Sequence, residues 1–197
     1  MQITVEHARK VLTIVDAGLI KGAGKKPIAG EVCVEQAVCM ALGLPHSDNP
    51  ICVAPVLRVL KIKINDCNWS SNQARAKGLR RLAVAQLGSA DHLDEQEFRR
   101  RVVDYALRRS TSAALRSAAS IQKDQTHKAK LLAAAKRCEE EGTREAAQDA
   151  RVIARASYAA SYASDADRDK SLADYAEDIV QILIDMKAPG CRWLEIC

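Results

Sequence analysis

The chain has 197 residues, 48% of them hydrophobic and 28% charged, with nine glycines and five prolines. That balance excludes collagen-like, low-complexity and wholly disordered architectures. The net charge of +5 is uneven, with 17 basic against 11 acidic side chains in residues 1–110 and near neutrality in 111–197, and it suits an anionic partner.

The apolar residues Val5, Ala8, Leu12, Val15 and Leu19 recur at helical spacing after Thr4, a good N-cap, so the first element is a helix over 4–19. GLIKGAGKKPIAG (18–30) has four glycines and a proline, which makes it a surface loop. It lacks the GxxxxGK[ST] spacing of a phosphate-binding loop, and no apolar strand leads into it. A second helix is predicted over 31–42, stopped by Gly43 and Pro45, and a short third helix over 55–60 opens with Pro55 in its first turn. KIKIN (61–65) alternates and is compatible with a short strand. Ser70 or Ser71 caps a helix reaching Leu87 before Gly88, and Asp94 with Glu97 opens another running to about Arg109.

Beyond residue 110 alanine dominates, and Gly142 and the region of Asp165 divide the stretch into two or three helices. YAASYA (158–163) is locally repetitive but too short for a solenoid. A last helix over 171–187 carries Leu172, Tyr175, Ile179, Leu183 and Met186 on one face, and after Ala188-Pro189-Gly190 the residues Trp193, Leu194 and Ile196 fold back. Only 4% of the residues are aromatic and 33 are alanine, so the core must come from Leu, Ile, Val and Ala. The reading is all-α: a compact multi-helix bundle with Ala-rich C-terminal helices and at most one short strand near 61–65. The predicted division is 1–110, a helical core with the candidate site, and 111–197, an Ala-rich helical part packing on it as one continuous domain.

No apolar run reaches the roughly 18 residues of a membrane span, and MQITVEHARK has no secretory pattern, so the expectation is a cytoplasmic protein with no membrane partner. The seven cysteines are an odd number with no CxxC pair, which reads as free thiols in a reducing compartment. Nothing in the pattern calls for a cofactor.

Two polar segments stand out between residues 31 and 86. In the first, Glu35 lies among Val32, Val34, Ala37, Val38 and Met40, and a buried carboxylate needs a partner or a task. His46 and Asp48 follow in the next loop, and the three together have the chemistry of a metal-dependent hydrolase, with Glu35 as acid–base and the other two as ligands or orienters. In the second, Asn65, Asp66, Asn68, Trp69, Ser70, Ser71 and Asn72 lead into a helix carrying Arg75, Arg80 and Arg81. Helix-terminal amides, hydroxyls and arginines form an anion site, and Trp69 offers a stacking or packing wall. This favours a non-enzymatic binding protein for a phosphorylated small molecule or nucleotide held by Asn65, Asp66, Trp69, Ser70, Ser71, Arg75, Arg80 and Arg81. Arg99, Arg100, Arg101, Arg108 and Arg109 can also follow a phosphate backbone, although no nucleic-acid-binding motif accompanies them. A third reading is a helical protein–protein module or homo-oligomer joined through the Ala-rich C-terminal helices.

CVEQAVCMAL (33–42) is similar to the first zinc-site helix of the cytidine deaminases. The similarity stops there: position 55, where the second cysteine of their P-C-x-x-C would fall, is proline, and the gap after the helix is too short for the intervening strand. The run from Gly30 to Ser89, with the ending KAPGCRWLEIC, resembles uncharacterised bacterial and phage-borne proteins of no assigned function, which implies a bacterial cytosolic setting.

Overall fold

A computed structural model describes residues 2–155 and 165–197 and resolves them into helices, with no strand among the described residues. The elements are α1 (Val5–Asp16), α2 (Val34–Ala41), α3 (Pro55–Asn65), α4 (Asn72–Ala85), α5 (Glu95–Tyr105), a π-helical turn (Ala106–Thr111), α6 (Ser112–Ile121), α7 (Gln125–Glu141), α8 (Arg144–Arg155), α9 (Asp165–Asp185) and a 3-10 helix (Pro189–Ile196). Repetitive YAASYA (158–163) lies outside the described residues. The chain divides into two compact units, one of residues 1–98 and 165–197, the other of residues 99–164. The boundary sequence reasoning set at residue 110 thus falls inside the second unit, and the C-terminal helix belongs with the N-terminal ones.

In the first unit α4 is the central element, packed by α1, α2, α9 and the 3-10 helix. Its inward residues Leu79, Leu82, Ala83 and Val84 meet a core that includes Val11, Val15, Leu57, Ile179 and Leu183, all fully buried. Burying such side chains contributes on the order of 1.5–3 kcal/mol each. Gly78 stands in the middle of α4 with Trp69 on its flank: a Cβ there would sit 2.3 Å from the indole ring. Trp69 is buried and its Nε1 donates to Ile64 O at 2.9 Å, so it anchors the turn between α3 and α4. Trp193 folds back into the core as expected, and Gly190 lets the 3-10 helix approach the backbone of Val84 and Ala85.

The KIKIN stretch is helical. It forms the second half of α3, which outruns the predicted Pro55–Leu60 by five residues and turns Leu57, Lys61, Ile64 and Asn65 inward. Lys61 and Asn65 hold core positions that hydrophobic periodicity assigns to apolar residues, so the helical pattern was hidden behind two polar side chains.

The second unit packs α6 on α7 and α7 on α8 around Leu115, Ala119, Leu131, Ala135, Cys138, Ala146 and Ala150. Small side chains on these faces let the helix axes approach closely. Gly142, the expected break, closes α7 in the left-handed conformation with φ +60°. The positive φ favours glycine there, and the Arg108 side chain packs against it. Its guanidinium donates to the terminal carbonyls of Glu139, Glu140 and Glu141 at 2.7–3.0 Å, and a Cβ on Gly142 would lie 2.6 Å from it. A cation over the C-terminal carbonyls also complements the helix dipole.

Candidate functional site

Lys61 and Glu35 are both fully buried and form an ion pair at 3.0 Å within the first unit. α2 and α3 pack against each other and bring the two together. Apart from that contact, neither carboxylate oxygen nor the ammonium has a hydrogen-bond partner among the described residues. Burial pushes the Glu35 carboxyl above its ordinary range, opposed by the Lys61 charge, and burial pushes Lys61 down, opposed by Glu35. Desolvation therefore weighs against both ionised forms, and their mutual attraction opposes it. Sequence reasoning expected a buried Glu35 to need a partner or a task and grouped it with His46 and Asp48, whereas the structure pairs it with Lys61. Lys61 was missed because a lysine in an alternating run reads as a surface residue.

His46 and Asp48 turn to other tasks. His46 Nε2 lies 2.9 Å from Gly24 O and 3.1 Å from Gln36 Nε2, while Asp48 pairs with Arg58 at 3.0 Å. Among the described residues, no group of three His, Cys, Asp or Glu side chains is placed to hold a metal ion.

The polar segment 65–81 is engaged almost residue by residue, and much of it fastens the glycine-rich loop. Asn65 Nδ2 donates to Ile20 O at 3.0 Å, and its Oδ1 accepts from Val34 N at 3.3 Å. Asp66 Oδ1 accepts from Gly22 N at 2.8 Å, and Arg75, buried, donates to Leu19 O and Asn65 O at 2.8 Å. From α2, Gln36 accepts from Gly24 N at 2.7 Å and donates to Gly24 O at 2.9 Å. Gly24 must be glycine, since a Cβ would fall 1.9 Å from Glu31 O. The loop over 18–30 is therefore irregular, as expected, but pinned to α2, α3 and α4 at backbone atoms that would otherwise need solvent.

The remaining candidates are also occupied. Ser71 caps α4 by accepting from Ala74 N at 3.0 Å, and Ser70 binds Asp169, whose carboxyl is held below its ordinary range by the Ser70 hydroxyl and amide. Arg80 pairs with Asp16 at 2.7 Å and Arg81 with Glu177 at 2.5 Å. A cavity of about 40 Å³ beside Asn65 and Asp66 is bordered by Gly22, Cys33, Asp48 and Ile62. Small-molecule sites run to roughly 300–1,000 Å³, so this one has room for little more than water, and its two carboxylates disfavour an anion.

All seven cysteines are free; Cys33, Cys39, Cys52 and Cys138 are buried. Burial pushes the Cys39 thiol up to about 11, which keeps it protonated and unreactive. No helix of the described residues is long and apolar enough to cross a membrane.

The division into units moves the charge. Residues 99–164 hold 14 basic and 7 acidic side chains, a net of +7, while the rest of the chain holds 16 basic and 18 acidic, a net of −2. The acidic helix α9 masks this contrast when the sequence is cut at residue 110. Some of these cations serve the fold: Arg108 closes α7, Arg116 pairs with Glu139, and Arg137 bridges Glu141 and Asp149. Lys123, Lys130, Arg144 and Arg151 are exposed and have no ion-pair partner among the described residues. Comparison with protein-family models, with curated proteins and with solved structures returned no match.

Proposed function

We propose that this protein is a non-enzymatic binding protein for an anionic macromolecular partner, and that residues 99–164 carry the docking surface. The carrying observation is the charge contrast, +7 on that unit against −2 on the rest of the chain. Exposed, unpaired lysines and arginines raise the local concentration of an anion and speed its encounter. The expected anion stays, but its place moves from 65–81 to the helical unit that follows. A macromolecule fits better than a small phosphorylated ligand because the cavity near Asn65 holds about 40 Å³ and the groups around it are already hydrogen-bonded.

Titration of the full chain with poly-glutamate and with duplex DNA tests the reading. Binding of at least one polyanion at about 50 mM salt, weakening steeply as salt rises, is the expected result. No binding to either, or binding indifferent to salt, overturns it.

A further inference from the structure

The second unit carries a groove suited to one kind of anionic partner. α7 and α8 are joined at Gly142 and Thr143 and run antiparallel, as the contacts of Cys138 with Ala146 and Arg137 with Asp149 require. α6 packs on both helices, and between α7 and α8 lies a cleft of about 220 Å³. Its floor is apolar, made by Ala133, Ala134, Ala146 and Ile153, and its rim carries Lys130, Arg137 and Asp149. Lys130 has no ion-pair partner among the described residues, and Val152, one helical step from Asp149, is 70% exposed.

Resting on the reading that residues 99–164 dock an anionic macromolecule, we infer that the partner element is an acidic amphipathic helix of another protein, seated in the α7/α8 groove. Three features select it. Alanines along the floor let a third helix axis approach closely, in the geometry by which helices complete a bundle. The cleft is smaller than a small-molecule site and shallow enough for the apolar stripe of a helix. Arg137 and Asp149 on the rim pair with each other, so Lys130 and the +7 charge of the unit are what favour acidic flanks on that stripe, and the same charge opposes docking of a second copy of this unit. Nucleic acid would use the cations but leave the apolar floor of Ala133, Ala134, Ala146 and Ile153 without a purpose.

The test uses the full chain and four titrations followed by fluorescence anisotropy. The probes are a helical peptide with leucines at i, i+3, i+4 and i+7 and glutamate elsewhere, its twin with lysine replacing glutamate, and duplex DNA; the fourth titration repeats the acidic peptide on Ala133→Glu, a change at an exposed floor position. The acidic peptide should bind, its lysine twin should not, and Ala133→Glu should weaken the acidic peptide about tenfold or more with an unchanged helical circular-dichroism spectrum. Equal binding of the twin, or an Ala133→Glu variant as tight as wild type, overturns the inference. Binding of DNA with none of the acidic peptide overturns it while leaving the anionic reading intact, whereas binding of neither removes both.

Discussion

The two units spend their polar residues in opposite directions. In the first, Asn65, Asp66, Arg75 and Gln36 point inward and fix the backbone of the loop at Leu19, Ile20, Gly22 and Gly24. In the second, Lys123, Lys130, Arg144 and Arg151 point outward and have no ion-pair partner among the described residues. A dense polar segment in a sequence therefore has two physical meanings. An irregular loop packed against helices carries amide and carbonyl groups that need partners, and side chains supply them. A helix has already satisfied its own backbone, so the charges on its outer face are available for something else.

The contrast breaks first at the buried pair. Replacing Lys61 by Met strands the Glu35 carboxylate in a dry core, and thermal unfolding should show a loss of about 3–5 kcal/mol. Replacing both, Glu35→Leu with Lys61→Met, should return most of that loss, because two desolvated charges give way to apolar packing. A double variant as unstable as the single one would mean that the pair does more than compensate its own burial. Next in size is Arg75→Ala, which leaves Leu19 O and Asn65 O without their donor. About 2–3 kcal/mol should be lost, and proteolysis should open the loop over 18–30 first.

These same residues show how far the sequence could be read. Helix positions followed from apolar spacing and caps: Thr4, Ser71, Asp94 and Gly142 each sit at or beside a helix end. The all-α architecture followed from abundant alanine and scarce aromatics. Lys61 and Asn65 defeated the reading of α3 because periodicity arguments count them as polar, while in the structure an ion pair and a hydrogen-bonded amide make them core residues. The candidate anion site at 65–81 has the right donors, and sequence cannot reveal that Asp16, Glu177, Asp169 and the backbone of residues 19–22 lie against them. The net charge of 99–164 was hidden for a different reason. The acidic helix α9 follows it in the chain yet belongs to the other unit, so any single cut averages the two.

The smallest effect on stability is expected from the outward cations, and it separates the units most clearly. The central claim is that arginines in 65–81 serve the fold and that the exposed cations Lys123, Lys130, Arg144 and Arg151 serve binding. The most direct measurement compares poly-glutamate affinity in two variants at fixed low salt, one with Lys123, Lys130, Arg144 and Arg151 all replaced by alanine, the other with Arg80 and Arg81 replaced by alanine. The account predicts that the first loses about tenfold or more in affinity while its unfolding free energy stays within about 1 kcal/mol of wild type, and that the second keeps its affinity. A first variant that binds like wild type, or a second that loses binding, would contradict it.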